Sequence, residues 1–324
     1  MPASSAWRTS RKGDSIPTIF FMRSRGGPEL AFLGSAVGMA FAVILIFGFI
    51  AWTAAPVLAK EGFGFITGSV WNYDTHQFGI LVFLWGTLIL TAVTMILAVP
   101  IGVMTAIYLA EWAPGPVERI LRPAIELLVG IPSVVYGIFG FFVLDGFYGD
   151  TLFPFLASLL GWTPLFRIVQ PDQGLSILLA ATILTIMVLP TIVALSQEAI
   201  RAVPREQREA SLALGATGWE TIRHVVLPAA LSGIGTSVVL AMMRAVGETM
   251  AVVMVIGNSP HMPTSILDTG YTMTSKILND IGYYLGEPEP RSALFAIALV
   301  LFVIELGMVA GVRIFTDRLA KGTR

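Results

Sequence analysis

The stretch LSILLAATILTIMVLPTIVALSQEA, residues 175–199, runs directly into IRAVPREQREASLALGATGWETIRHVVLP, residues 200–228. The first part carries a single charge, Glu198, and is long enough to cross a bilayer core as a helix, which takes roughly 20 apolar residues. Pro190 within it is tolerable in a membrane helix, where neighbouring groups satisfy the carbonyl that a proline frees. The second part is charged and gives way to another apolar run at 231–257. A span, a structured polar loop and a second span predict an all-α polytopic membrane fold.

The pattern extends outward in both directions. Further apolar runs lie at 30–52, 79–110, 124–144 and 293–314, so six spans are expected, with Pro100 and Pro132 inside two of them. Hydrophobic residues make up 55% of the 324 positions and charged residues 13%. Soluble domains keep about 25% charged, so this chain cannot clothe a water-facing surface and must face lipid. Residues 1–28 are polar and basic and read as a disordered cytosolic tail, leaving 29–324 as the membrane domain. Val57-Leu58-Ala59 loosely fits a signal-peptidase site, but the preceding apolar run exceeds the roughly 7–15 residues of a signal core, so a retained helix is expected.

Basic residues orient the bundle. With the N-terminus in the cytosol, that side holds Arg8, Arg11, Lys12, Arg23, Arg25, Arg119, Arg122, Arg201, Arg205, Arg208, Arg223, Arg313, Arg318, Lys321 and Arg324. The other side holds Lys60, Arg167, Lys276 and Arg291, and Arg244 falls within a span. The asymmetry places both termini in the cytosol. The segments 53–78, 145–174 and 258–292 are then external; in the second, the apolar stretch 152–162 is too short to span and is expected at the interface.

Several chemistries are excluded. The chain has no cysteine, and His76, His224 and His261 are far apart, so no metal-ligand spacing exists. No clustered nucleophile and base suggest an enzyme. No Gly-x-x-x-x-Gly-Lys-Ser/Thr loop is present, so any ATP and magnesium must be bound by another chain, and no cofactor is expected on this one. Basic residues in short loops, not along one face, give no nucleic-acid surface.

The loop 201–230 has local structure of its own. Pro204 suits a helix start, 205–214 can form the helix, and Gly215 offers a left-handed stop. A second short helix can begin near Gly218, with Trp219, Ile222 and Val226 on one face, and Pro228 ends the unit before the fifth span. Two short helices at an angle make a knob that can dock in a partner's groove. Glu209-Ala210-Ser211, three residues, Gly215, nine residues, then Val225-x-Leu227-Pro228 resembles the signature loop of binding-protein-dependent ABC importer permeases. That pattern is Glu-Ala-Ala, three residues, Gly, nine residues, Ile-x-Leu-Pro, from which Ser211 and Val225 depart. The resemblance implies a MetI-like type I importer bundle in a bacterial inner membrane. Its partners would be a second homologous permease, two copies of a cytosolic ATPase subunit and an extracytoplasmic binding protein.

Longer segments resemble the phosphate-specific permeases. They are Gly86-Thr87-Leu88, Gly130-Ile131-Pro132-Ser133-Val134-Val135-Tyr136-Gly137, Pro190-Thr191-Ile192-Val193, Ser196-Gln197-Glu198-Ala199 and Arg244-Ala245-Val246-Gly247-Glu248-Thr249-Met250-Ala251. This likeness covers about 78–260 and implies inorganic phosphate as cargo; the basic tail and the length favour the C-type subunit of that importer. Molybdate or sulfate carried by the same machinery is the alternative, and a self-sufficient channel or carrier gated by Arg244 and Glu248 is a third.

Within the membrane, Arg244 is expected near the centre of the fifth span, where a charge costs about 2.5–3.5 kcal/mol and needs a partner. Glu248, four residues on, and Glu305 in the sixth span are the candidates. The pair either fixes helix register or lines the translocation route, with Arg244 offering bonds to phosphate oxygens. Ser133 and Tyr136 either donate to an oxyanion or satisfy carbonyls freed by Pro132. Asn258 and Ser259 read as a helix-end turn.

Overall fold

The computed structural model describes residues 27–168 and 174–322, which divide into two compact units between Gly48 and Phe49. Helix α1 (Gly27–Glu61) is longer than the expected 30–52 and carries Pro56 and Val57-Leu58-Ala59 inside it. Its described residues in the first unit, 29–48, are apolar nearly throughout and exposed. The tail expected at 1–28 lies, up to residue 26, outside the described residues.

In the second unit, the end of α1 leads to α2 (Gly64–Thr67) and a short antiparallel hairpin, β1 (Trp71–Asn72) with β2 (Gln77–Phe78). Helix α3 (Leu81–Glu111) then packs along α8 (Ile177–Arg201). A Cβ on Gly102 would come within 2.7 Å of the Ile192 side chain, so a side chain there would force α3 and α8 apart. Small residues at a crossing let membrane helices approach closely. Helix α8 in turn meets α11 (Leu227–Gly247) through the Ser196–Ser237 hydroxyl pair at 2.7 Å. Leu90, Ala98, Leu184, Val188, Ala241 and Ala245 share the core these three helices enclose.

Two expected spans are not continuous. The third, 124–144, is replaced by α4 (Gly115–Gly130) and a helical run that turns through 93° after Ile131-Pro132. That run comprises α5 (Ser133–Phe139), a π turn at Gly140–Leu144, α6 (Asp145–Phe147), a second π turn at Tyr148–Leu152, and α7 (Phe153–Leu160). The helix therefore absorbs the first part of the expected external segment 145–174, up to Leu160, and with it most of the stretch 152–162 expected at the interface. Asp145, Gly146, Gly149 and Asp150 look like loop residues, but the π turns keep the backbone wound through them. The fifth span, 231–257, breaks after Gly247: Glu248 is extended at ψ 126, and α12 (Met250–Val255) starts anew.

The segment 258–292, expected outside, is in large part packed against the bundle. Residues 265–276 are all buried and pack among α3, α8 and α12 before entering α13 (Met273–Tyr284). Their polar composition misleads because most of these groups, though not the Thr269 hydroxyl, find a partner inside. The Ile266 and Asp268 carbonyls accept from the Leu178 and Ile177 N–H groups at 2.8 and 3.0 Å, satisfying the first turn of α8, while Ser176 accepts from Leu179. Asn258 sits at φ 50 and donates to the Val253 carbonyl at 2.6 Å, the helix-end turn expected.

Helix α14 (Pro288–Gly322) extends well past the expected 293–314. Among the described residues five helices are long and apolar enough to cross a membrane, and the bent pair makes a sixth. The protein is an all-α polytopic membrane protein.

Candidate functional site

The 201–230 loop forms a two-helix knob. Pro204, extended at ψ 140, precedes α9 (Arg205–Ala213). Gly215 has φ +89; its N–H donates to the Leu212 carbonyl at 3.0 Å, and the Ala216 N–H to the Ser211 carbonyl at 3.3 Å. These two bonds make a Schellman stop, for which glycine is preferred because the left-handed region carries no Cβ penalty. α10 (Gly218–Thr221) begins with a capping box in which Thr217 accepts from the Glu220 N–H and Glu220 from the Thr217 N–H. The Thr217 bonds hold the Glu220 carboxyl below its usual range. Ser211, where the family pattern has alanine, bonds to Thr221 at 2.9 Å and ties the two helices together. Gly215 and Ser211 thus act in one turn.

The knob does not end at Pro228 as expected. α10 continues through a π turn, Ile222–Val226, into α11, and Pro228 sits in that helix's first turn, where its missing N–H is tolerated. Val226 and Leu227 pack with Ala106, Ile200 and Ala230, while Val225 is half-buried. Glu209, Ala210 and Leu214 point outward, and Leu214 is 90% exposed.

Inside the bundle, Arg244 and Glu248 do not pair: no ion pair joins Arg244 to a carboxylate among the described residues. The i, i+4 geometry requires a continuous helix, and α11 ends at Gly247. Arg244 is instead in the last turn of α11 and exposed. Glu248 turns to accept from the Ala251 N–H at 3.4 Å, and its carbonyl accepts from Thr274 at 3.1 Å. Glu305 on α14 faces the same joint, with Oε1 3.3 Å from the point a Cβ on Gly247 would occupy.

The two breaks adjoin. Gly137 of α5 lies against Ala251 and Met254 of α12, where a Cβ would come within 3.2 Å of the Ala251 Cα. Tyr136 is buried and donates to the Leu128 carbonyl at 3.0 Å. Leu128 lies in the last turn of α4, whose carbonyls have no intrahelical partner, so the tyrosine caps one of them. Ser133, half-buried, opens α5 beside it. Broken helices whose ends face one another are where transporters gather polar backbone at membrane depth.

One cluster was not anticipated. The buried Lys276 ammonium pairs with Asp280 at 2.6 Å and lies 5.1 to 5.5 Å from the ring centroids of Trp71, Tyr73, Phe83 and Tyr271. Tyr73 donates to the same Asp280 carboxylate. Burial pulls the Lys276 ammonium below its usual range, against Asp280; burial and the Asp280 bond push the Tyr73 phenol up. The cluster pins the hairpin to α13. The i, i+4 spacing of Lys276 and Asp280 was legible, but the rings come from distant segments. Among the described residues no group of acids and histidines could hold a metal ion.

A helical bundle with two broken spans and a charged knob is a polytopic membrane fold. The chain belongs to the family of binding-protein-dependent transport system inner membrane components, which matches residues 98–321. It is 39% identical over 264 residues to the phosphate transport system permease protein PstC of Mesorhizobium japonicum, covering 81% of this chain and 80% of that protein. It is 38% identical over 256 residues to the probable ABC transporter permease protein YqgH of Bacillus subtilis, covering 78% and 77%. Among solved structures, a chain of the bacterial alginate ABC transporter, in complex with its pentasaccharide-bound periplasmic protein, aligns with a TM-score of 0.54 at 15% identity over 92% of this chain and 99% of that one. The MetNI methionine ABC transporter in an inward-facing conformation aligns with a TM-score of 0.52 at 20% identity, over 74% and 95%. These two likenesses establish the fold.

Proposed function

We propose that the chain is the membrane-spanning subunit of an ATP-driven importer that moves inorganic phosphate into the cytosol. The observation that carries the cargo is the 39% identity to a phosphate transport permease across most of both chains. The knob supports the machine: a rigid, glycine-stopped pair of helices with an exposed leucine tip is suited to a groove on an ATPase subunit. ATP and magnesium are held there, on two copies of that subunit, and a second homologous permease completes the pathway. An extracytoplasmic phosphate-binding protein delivers the cargo. Both termini and the knob lie in the cytosol of a cell with this multi-pass chain in its plasma membrane, as the basic residues favour.

The chain's own contribution is positioning. Arg244, released from Glu248 by the break after Gly247, is free to offer its planar fork to phosphate oxygens transiently. Glu248 and Glu305 at the joint oppose tight binding, so phosphate can leave. Ser133 and Tyr136 border the same region, with Tyr136 occupied in holding the α4–α5 bend. The test is ATP hydrolysis by the purified complex in nanodiscs, with and without phosphate-loaded binding protein. Stimulation is expected; the same rate with empty and loaded binding protein would remove the reading.

A further inference from the structure

The C-terminal end of α3 grips the knob twice, through consecutive residues outside the signature loop. Glu111, the last residue of α3, accepts from Arg208 Nη1 of α9 at 2.5 Å, with side chains only 11% and 23% exposed. The other Arg208 nitrogen, Nη2, donates to the Ile200 carbonyl of α8 at 2.7 Å, so one guanidinium joins α9 to both α3 and α8. Trp112, which caps α3, stacks on Trp219 of α10 with centroids 5.8 Å apart and planes 29° apart. Both knob helices are therefore held by the same two residues.

From there the contacts continue into the bundle. The Leu109 carbonyl accepts from Gln197 and Arg201 of α8 at 3.4 Å, and Thr185 of α8 donates to the Thr94 carbonyl of α3 at 3.4 Å. At its far end α8 is bonded to the buried segment through Ile266 and Asp268.

We propose that Glu111 and Trp112 form a bracket that passes movement of the knob to α3 and α8, as positioning residues for transport. This rests on the knob docking to the ATPase subunit. The competing route is the backbone alone, since α10 runs through the π turn into α11. An ion pair with both partners mostly desolvated holds a fixed geometry, whereas a π turn is a local irregularity of the helix. With the bracket removed, the knob would still bind its partner through the exposed tip but would slip on the end of α3.

The experiment uses the full complex in proteoliposomes and compares Glu111→Gln, Trp112→Leu, the double variant and the exchange Glu111→Arg with Arg208→Glu. ATP hydrolysis and radiolabelled phosphate uptake are measured together. The bracket predicts that each single variant keeps its ATPase subunit and hydrolyses ATP. Phosphate imported per ATP falls by about tenfold, the scale of one lost charge-assisted bond, and the charge exchange recovers part of it. An unchanged ratio in both single variants overturns the bracket. So does loss of the ATPase subunit from both, because the pair would then support docking and not transmission. Leu214→Ser, at the tip, tests the docking separately: it should shed the ATPase subunit, and if it does not, the docking reading fails whatever the bracket variants do.

Discussion

Replacing Gly215 isolates one physical term. A Cβ built there meets nothing within 4 Å, so Gly215→Ala introduces no clash, and its penalty comes from φ +89 alone. Holding an L-residue in the left-handed region costs about 1–2 kcal/mol, and a tenfold change in an equilibrium corresponds to about 1.4 kcal/mol. If the knob docks in the Schellman geometry, Gly215→Ala should weaken its hold on the ATPase subunit by about tenfold. Gly215→Val should weaken it further through β-branching, and Gly215→Asn less, because asparagine enters this region more readily. The assay is a titration of purified ATPase subunit onto permease in nanodiscs. Hydrogen exchange at the Gly215 and Ala216 amides, whose bonds close the stop, gives a second readout. Equal affinities for Gly, Ala and Val would refute the reasoning, and so would Asn binding worse than Val, since that order cannot come from backbone strain.

Tyr136→Phe strands the Leu128 carbonyl and should destabilise the α4–α5 bend by about 1–3 kcal/mol, read as a lower unfolding temperature in detergent; no change would mean the bond at 3.0 Å does not hold the bend. Arg244→Gln and Arg244→Lys should both assemble but import phosphate more slowly, lysine included because it loses the planar fork; an unmutated rate in either removes Arg244 from the pathway, and failed assembly would mark it as structural. A reporter active only outside the cytosol should stay silent when fused at either terminus or within 201–230, and activity at any of the three sinks the proposed orientation.

What sequence reading could and could not see follows from the range of the interactions. The knob was legible because its signals are local: Gly215 at the stop and the short helix starting near Gly218 lie within a few residues of the bonds they make. The spans were legible as apolar runs, and α3 and α8 fall within a few residues of expectation. The break after Gly247 was not, since glycine and threonine also stand inside the unbroken part of α11, at Gly233, Gly235 and Thr236. That is why Arg244 and Glu248 were read as one turn apart on a single helix. The burial of residues 265–276 was missed for the opposite reason. Ser265, Asp268, Thr272 and Ser275 look like surface residues, but Ser265 donates to the Leu165 carbonyl, Asp268 pairs with His261, and Thr272 donates to Ser275, while Thr87 of α3 accepts from the Met273 N–H at 3.0 Å. That Tyr136 bonds a carbonyl of the last turn of α4 depends on the 93° turn between α4 and α5.

The central claim is that this chain conducts phosphate only as part of an ATP-driven complex. Its most direct test is uptake of radiolabelled phosphate into proteoliposomes holding this permease, its partner permease, the ATPase subunit and external binding protein, with unlabelled molybdate and sulfate as competitors. Accumulation is expected to require ATP and the binding protein and to resist a large excess of either competitor. Uptake that persists without the ATPase subunit, or that molybdate or sulfate abolishes at equal concentration, would contradict it.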